Sequence, residues 1–154
     1  MEPSRGIVEF LLEVLLLVLP ESSQSLIQLK ETPQNAALNW LSTMSGAKEL
    51  SLEEIAQRYA LAVLYFATGG GNWAVDGQWL AEGSECQWDP ERIECEEGII
   101  RILDLNSANL NGTLPPDIVV LKDLCKLRHF VVRQNEIIPL TSLPSSLHRQ
   151  VDIA

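Results

Sequence analysis

The strongest constraint on this chain is that part of it repeats. The segment Ile100-x-x-Leu103-x-Leu105-x-x-Ala108-x-Leu110 aligns with Leu127-x-x-Phe130-x-Val132-x-x-Asn135-x-Ile137 at an offset of 27 residues. Four apolar positions coincide, and at the fifth, the polar-type position, Ala108 stands opposite Asn135. Self-similarity at a fixed period signals stacked supersecondary units. Leu103 and Leu105 alternate inward on a short strand. The polar position belongs to a turn, where an Asn side chain satisfies backbone groups. Leu110, Leu114, Ile118 and Leu121 fill a return path. Gly112 permits a tight backbone there, and Pro115-Pro116 favours extended, polyproline-like geometry.

Upstream of residue 70 the pattern is helical. Residues 7–19 (IVEFLLEVLLLVL) form the most apolar run, with Glu9 and Glu13 inside it. Spanning a bilayer takes roughly 20 apolar residues, so this run is too short and too charged to cross. The preceding residues carry no net positive charge, and no small-x-small cleavage site follows. The run is read as a buried helix stopped by Pro20, with a signal peptide, which its length allows, as the alternative. A second helix starts at Thr32-Pro33, an N-cap followed by proline at the first helical position, and runs through Leu41. A third opens on the capping box Ser51-x-x-Glu54. Leu52, Ile55, Ala56, Tyr59, Val63 and Phe66 fall on one of its faces, and Leu61, Leu64 and Tyr65 widen it, so burial on more than one side is expected. Gly69-Gly70-Gly71 ends it. Residues 72–98 read as irregular, with Trp73, Trp79 and Trp88 clustered among Cys86, Pro90 and Cys95.

Charge narrows the choice of partners. Lys plus Arg number 11 against 21 Asp plus Glu, a net charge of −10. Phosphate binding needs clustered cations, so nucleic acid is not expected as a partner, nor is an anionic membrane surface.

Three ordered blocks resemble the plant-type extracellular leucine-rich repeat proteins, most of all the algal, diatom-like set. Residues 57–73 (QRYALAVLYFATGGGNW) are similar to the opening helix of the family's N-terminal cap. Trp79-Leu80, Cys86-Gln-Trp88 and Cys95 are similar to its Trp and paired-Cys motif. Leu103-Asp-Leu105 with Leu110-Asn-Gly112-Thr-Leu114-Pro115 matches the first repeat. The resemblance covers residues 32–147. It implies an α+β chain with a helical N-terminal region (1–49), a disulfide-bearing cap (50–98), a short solenoid of two leucine-rich repeats (99–148) and a tail (149–154). It also implies a non-enzymatic recognition module for a protein, peptide or polysaccharide ligand, within a receptor-like protein at the cell surface or outside the cell. No export signal is evident, so one is expected upstream.

The chain departs from the family pattern in places. Eight residues separate Cys86 from Cys95, with Asp89-Pro90-Glu91-Arg92 in place of a Gly, so a bulged loop is expected. Ala108 stands where the first repeat's Asn belongs, and Asn109 is out of register. The second repeat has three extra residues near Leu124-Cys125-Lys126, and its proline turn is absent or displaced to Leu143-Pro144.

The cap motif implies a Cys86–Cys95 disulfide; the alternative is two reduced thiols inside a cell. Their C-x8-C spacing is not a metal-ligand pattern. Cys125 is left over, as a small buried hydrophobe or a partner in intermolecular pairing. Asn111-Gly-Thr113 is a glycosylation sequon. Cys125 and His129 lack an orienting partner, and no phosphate-binding loop is present, so no catalytic site, cofactor or metal is expected. Glu91, Glu94, Glu96 and Glu97 read as a solvated acidic face.

Residues flanking the inward pair on each repeat strand face the other way. They are Ile102, Asp104 and Asn106, then His129, Val131 and Arg133, and they are the ligand-binding candidates. Two repeats are fewer than the three or so a solenoid needs, and no C-terminal cap follows Leu147, so an open last strand is expected. A longer parent chain, association through that edge, or a core supplied by the helical half would each resolve this. A leucine-rich repeat inhibitor of a secreted enzyme and an intracellular helical adaptor are the competing readings.

Overall fold

A computed structural model describes residues 5–138 and 151–152. The chain is α+β: helices lead, and short strands follow. The helices are α1 (Arg5–Leu16), α2 (Glu21–Leu26), α3 (Pro33–Ser42), α4 (Leu52–Ala67) and α5 (Val119–Asp123). The strands are β1 (Ile93–Glu96), β2 (Ile99–Asp104), β3 (Asn111–Thr113), β4 (His129–Val131), β5 (Glu136–Ile138) and β6 (Val151–Asp152).

Both predicted helix caps form. Thr32 Oγ1 accepts from the Asn35 amide at 3.0 Å, with Pro33 opening α3. Ser51 and Glu54 close the reciprocal capping box of α4 at 3.2 and 3.0 Å. Every residue of α4 from Ile55 to Leu64 is buried. The two ends of its expected apolar face differ: Leu52 and Phe66 are each 37% exposed. Both sit in the terminal turns, beyond the reach of the elements packed against the helix centre. Gly69 takes the left-handed conformation that ends the helix, φ 68°.

The first helix is shorter than the 7–19 run. It ends at Leu16. Tight i→i−3 bonds from Leu17 to Val14 and from Val18 to Leu15 then turn the chain, because the residue before a proline avoids helical geometry. Leu11, Leu15 and Leu19 point into the core, while Leu17 is 80% exposed. Pro20 does not simply stop structure; its carbonyl starts α2 by accepting from Ser23 and Gln24.

Four strands form one sheet in the order β1-β2-β4-β6. β2 and β4 are parallel, with Ile102 opposite His129, Leu103 opposite Phe130 and Asp104 opposite Val131. That register is the 27-residue offset of the sequence repeat. The ladder runs past the strand ends, through Arg128 N to Arg101 O, Leu105 N to Val131 O and Ser107 N to Arg133 O. Leu103, Leu105, Phe130 and Val132 are buried. β3 and β5 pair in parallel as a separate two-stranded sheet.

Two expectations are corrected by the sheet. Residues 72–98 are not wholly irregular: β1 lies there and pairs antiparallel with β2, with a bulge between Glu94 and Cys95. β4 is not an open edge either, because Val151–Asp152 of the segment read as a tail pairs with it in parallel. Leu143-Pro144, Leu147 and the rest of residues 139–150 lie outside the described residues.

One apolar cluster joins the helices to the strands, from Leu11 through Tyr59 and Leu64 to Leu103, Leu121 and Val132. The return path is buried as expected: Leu110, Leu114, Ile118 and Leu121 are each at most 1% exposed. Pro115 is extended, at φ −78° and ψ 149°, whereas Pro116 already opens a 3-10 turn. Gly112 has φ 146°, and a Cβ there would lie 2.3 Å from the Ala67 carbonyl oxygen. Only glycine lets the return path approach the end of α4 so closely.

Candidate recognition face

Pairing of β1, β2 and β4 places one face of the sheet away from the core. Ile102, Asp104 and Val131 are half-buried there, and Asn106, His129 and Arg133 are exposed. Ile102 and His129 are partners across the parallel pair, as are Asp104 and Val131. Asn106 and Arg133 lie just beyond the strand ends. All six sequence candidates therefore belong to one surface.

The cap adds residues to it that the sequence reading left out. Glu94 on β1 is opposite Ile102. Arg92 precedes β1 and accepts from the Asp104 amide at 2.8 Å. Its Nη1 donates to the carbonyls of Asp104 and Asn106 at 3.3 and 3.0 Å. Asp104 Oδ1 accepts from the Asn106 amide at 2.9 Å, fixing the turn after β2. Glu91, Arg92, Asp104 and Asn106 line a depression of about 270 Å³. A sequence signal for β1 was present: Glu91-Arg-Ile93-Glu-Cys95-Glu alternates polar and apolar residues, the period of a half-buried strand.

The backbone of the turns that follow β2 and β4 is hydrogen-bonded through one side chain. That side chain is Asn135. Its Oδ1 accepts from the amides of Ala108 (3.1 Å) and Leu110 (2.8 Å). Its Nδ2 lies 2.8–3.0 Å from the carbonyls of Leu105, Val132 and Arg133. The second repeat's Asn thus completes the first repeat's turn, where Ala108 cannot. Asn109 takes no part; it donates to the Asn72 carbonyl at 2.8 Å.

Three sets of contacts hold residues 73–98 together and to the helices. Cys86 and Cys95 form a disulfide, S–S 2.03 Å and Cα–Cα 5.8 Å. The four indoles form a chain, with ring centroids 5.6 Å apart for Trp40–Trp88, 5.7 Å for Trp88–Trp79 and 4.8 Å for Trp79–Trp73. Each indole N–H has an acceptor: Leu80 O, Ala81 O, Asp89 Oδ2 and Thr68 O respectively. Beneath them lies a buried ion pair, Arg58 Nε to Glu85 Oε1 at 3.1 Å. Gln57 donates to Glu85 and to the Gly98 carbonyl, and its Oε1 accepts from the Ile100 amide. A second buried polar set joins helices to the return path: Tyr59 Oη donates to Asp117 Oδ2 at 2.6 Å, and Gln34 Nε2 donates to Oδ1 at 2.9 Å.

Reducing the disulfide in the folded chain is expected to lower stability by roughly 2.7 kcal/mol, the chain-entropy value for a loop of about ten residues. Denaturation with and without a thiol reductant measures it. An unchanged midpoint would show that the aromatic and ionic contacts hold the loop unaided.

Cys125 is buried, and its Sγ lies 3.7 Å from the Glu53 carbonyl. That burial leaves it no access to a thiol of another molecule. Desolvation, with the charges of Glu53 and Glu85 adding to it, pushes its thiol up to about 12 from 9.0. Burial, with Asp117 beside it, likewise raises the Tyr59 hydroxyl. Both groups are held neutral by the fold. The Cys125 contribution is present below about pH 9 and is lost as pH climbs from 9 toward 12, and that of Tyr59 is lost as pH rises above 10, because the unfolded chain gives up these protons first. Denaturation midpoints should fall across that window, and Cys125→Ala should reduce the fall.

His129 is exposed on the sheet face, and Cys125 is buried on the return path. Glu91, Glu94, Glu96 and Glu97 are exposed, and Glu96 meets Arg128 at 3.5 Å. Among the described residues no three His, Cys, Asp or Glu side chains converge as metal ligands. No helix among them is long and apolar enough to cross a membrane. Asn111, the sequon residue, is exposed on β3, and its Nδ2 donates to Glu136 Oε2 at 3.1 Å.

Comparison with protein-family models, with curated proteins and with solved structures finds no match to this chain.

Proposed function

We propose that this chain is a non-enzymatic recognition module, the capped start of a leucine-rich repeat solenoid in a receptor-like protein that acts outside the cell. The observation that carries the reading is the 27-residue register between β2 and β4, completed by Asn135. It aligns Ile102, Asp104 and Asn106 with His129, Val131 and Arg133 on one face. A flat face with apolar, acidic, basic and imidazole groups at fixed spacing suits an extended peptide or a protein segment. Two strands offer less than the roughly 800 Å² per partner of a standard interface, so binding through this face alone is weak. The disulfide favours an oxidising compartment, and with it an accessible Asn111 as a glycan acceptor. The alternatives are a free inhibitor of a secreted enzyme, which would use the same face, and an intracellular adaptor, which the disulfide disfavours.

Selection of a random peptide library on the immobilised, disulfide-intact chain tests the reading. Enriched peptides should lose about tenfold in affinity on His129→Ala or Val131→Ala, a loss of about 1.4 kcal/mol, and should be indifferent to Glu13→Ala on α1. Peptides indifferent to every substitution on the face would overturn it.

A further inference from the structure

Aromatic rings follow one another through the cap as a single path. It starts at Trp40 on α3, passes to Trp88, Trp79 and Trp73, and ends at Tyr65 on α4. The ring centroids are 5.6, 5.7, 4.8 and 5.3 Å apart in that order. Rings at this spacing touch, edge to face or tilted. Trp88 and Trp73 are 2% and 8% exposed. Trp79 and the two ends, Trp40 and Tyr65, are half-buried.

Packing explains why the rings touch, but not how their polar partners change along the path. Trp40, Trp88 and Trp73 donate their N–H groups to the carbonyls of Leu80, Ala81 and Thr68. Trp79 donates instead to a carboxylate, Asp89 Oδ2, at 3.2 Å. Asp89 is 3% exposed, so little water screens its charge. Arg92 Nε lies farther from the same oxygen, at 3.9 Å. A negative charge against an indole favours removal of an electron from it, because the product is a cation.

The last ring has different chemistry. Tyr65 carries a phenolic O–H. A phenol that loses an electron releases its proton to water and becomes a neutral radical. The N–H protons of Trp88 and Trp73 are held by carbonyls, on rings that water scarcely reaches. Proton loss at Tyr65 therefore makes the final transfer hard to reverse. The ring is also held in place: a Cβ at Gly70 would lie 2.2–2.3 Å from three of its carbons. Only glycine lets the chain after α4 cross the ring and keep it against Trp73.

We infer that these five rings form a one-electron conduit, in which an oxidised indole inside the cap is restored by an electron drawn from Tyr65. A radical oxidant removes one electron from an indole of the path. The vacancy passes from ring to ring to Tyr65, whose hydroxyl gives its proton to water. The indole is then whole, the oxidant holds the electron, and the products are a tyrosyl radical and a proton. This activity is independent of the face formed by β2 and β4.

Pulse radiolysis of the disulfide-intact chain in azide solution tests it, since the azidyl radical takes one electron from an indole and becomes azide. The indolyl absorption should decay as a phenoxyl absorption grows in, at a rate independent of protein concentration. The chain has two tyrosines, and the other, Tyr59, is fully buried against Asp117 and off the path. Tyr65→Phe, which keeps the ring, should abolish the delayed phenoxyl growth and leave a long-lived indolyl radical. Trp73→Phe should abolish the growth as well, because the ring before Tyr65 no longer carries the vacancy. Indolyl decay without phenoxyl growth in the parent chain would overturn the inference. So would growth that scales with protein concentration, or growth that survives either substitution.

Discussion

Replacing Asn135 by alanine will destabilise the chain by about 3–5 kcal/mol. The side chain is the partner of two amides, those of Ala108 and Leu110, and lies within reach of three carbonyls, those of Leu105, Val132 and Arg133. Four of those five residues are at most 1% exposed, so water cannot replace what alanine removes. Each buried group left unsatisfied costs about 1–3 kcal/mol, and the amides have no second acceptor. Asn109→Ala, by contrast, removes one exposed bond to the Asn72 carbonyl and should cost under about 0.5 kcal/mol. Chemical denaturation of the two variants reads the difference directly. Equal effects would show that position 135 is an ordinary turn residue and that the register of β2 and β4 does not depend on it.

Glu85→Ala should cost a similar amount, about 3–5 kcal/mol, for a different reason. It leaves the Arg58 guanidinium, whose side chain is 9% exposed, without its carboxylate. At that exposure water reaches little of the charge. Replacing both partners with apolar residues, Arg58→Met with Glu85→Leu, should return stability to within about 1 kcal/mol of the parent, since a buried pair is weak evidence of net stabilisation. A double-mutant cycle by denaturation checks both statements. If Glu85→Ala alone costs under about 1 kcal/mol, solvent reaches the pair and Gln57 carries the cap junction instead.

These two sites mark where the sequence could and could not be read. Thr32, Ser51 and the 27-residue repeat are local or periodic signals, and each forms the expected structure. The inward set Leu103, Leu105, Phe130 and Val132 follows from the same period. α2 was not legible, because six residues reading ESSQSL carry no apolar stripe and their start depends on the Pro20 carbonyl. β1 was missed because Pro90 and the cysteines suggested a loop, although its alternation was visible. Nothing local in the sequence singles out Glu85 or Asp117; their burial is set by Arg58, Tyr59 and Gln34, which lie 27, 58 and 83 residues away. No window-sized pattern encodes such pairings. The six candidates on the sheet face were legible from alternation alone. Glu91 and Arg92, which complete the depression beside them, were missed with β1, since their place follows from its antiparallel pairing with β2.

The Asp117 clasp also dictates an order of events. The ribosome releases α3 and α4 first, so Gln34 and Tyr59 emerge well before the carboxylate that pairs with them. Their partner emerges only after Pro116, and Asn135, which seals the first repeat, later still. Contacts this far apart in sequence are slow to form, because a long loop must close before they stabilise anything. The helical half therefore waits, incompletely bonded, for the repeats rather than offering them a finished template. The cap and the first repeats should refold in a single kinetic phase as one cooperative body.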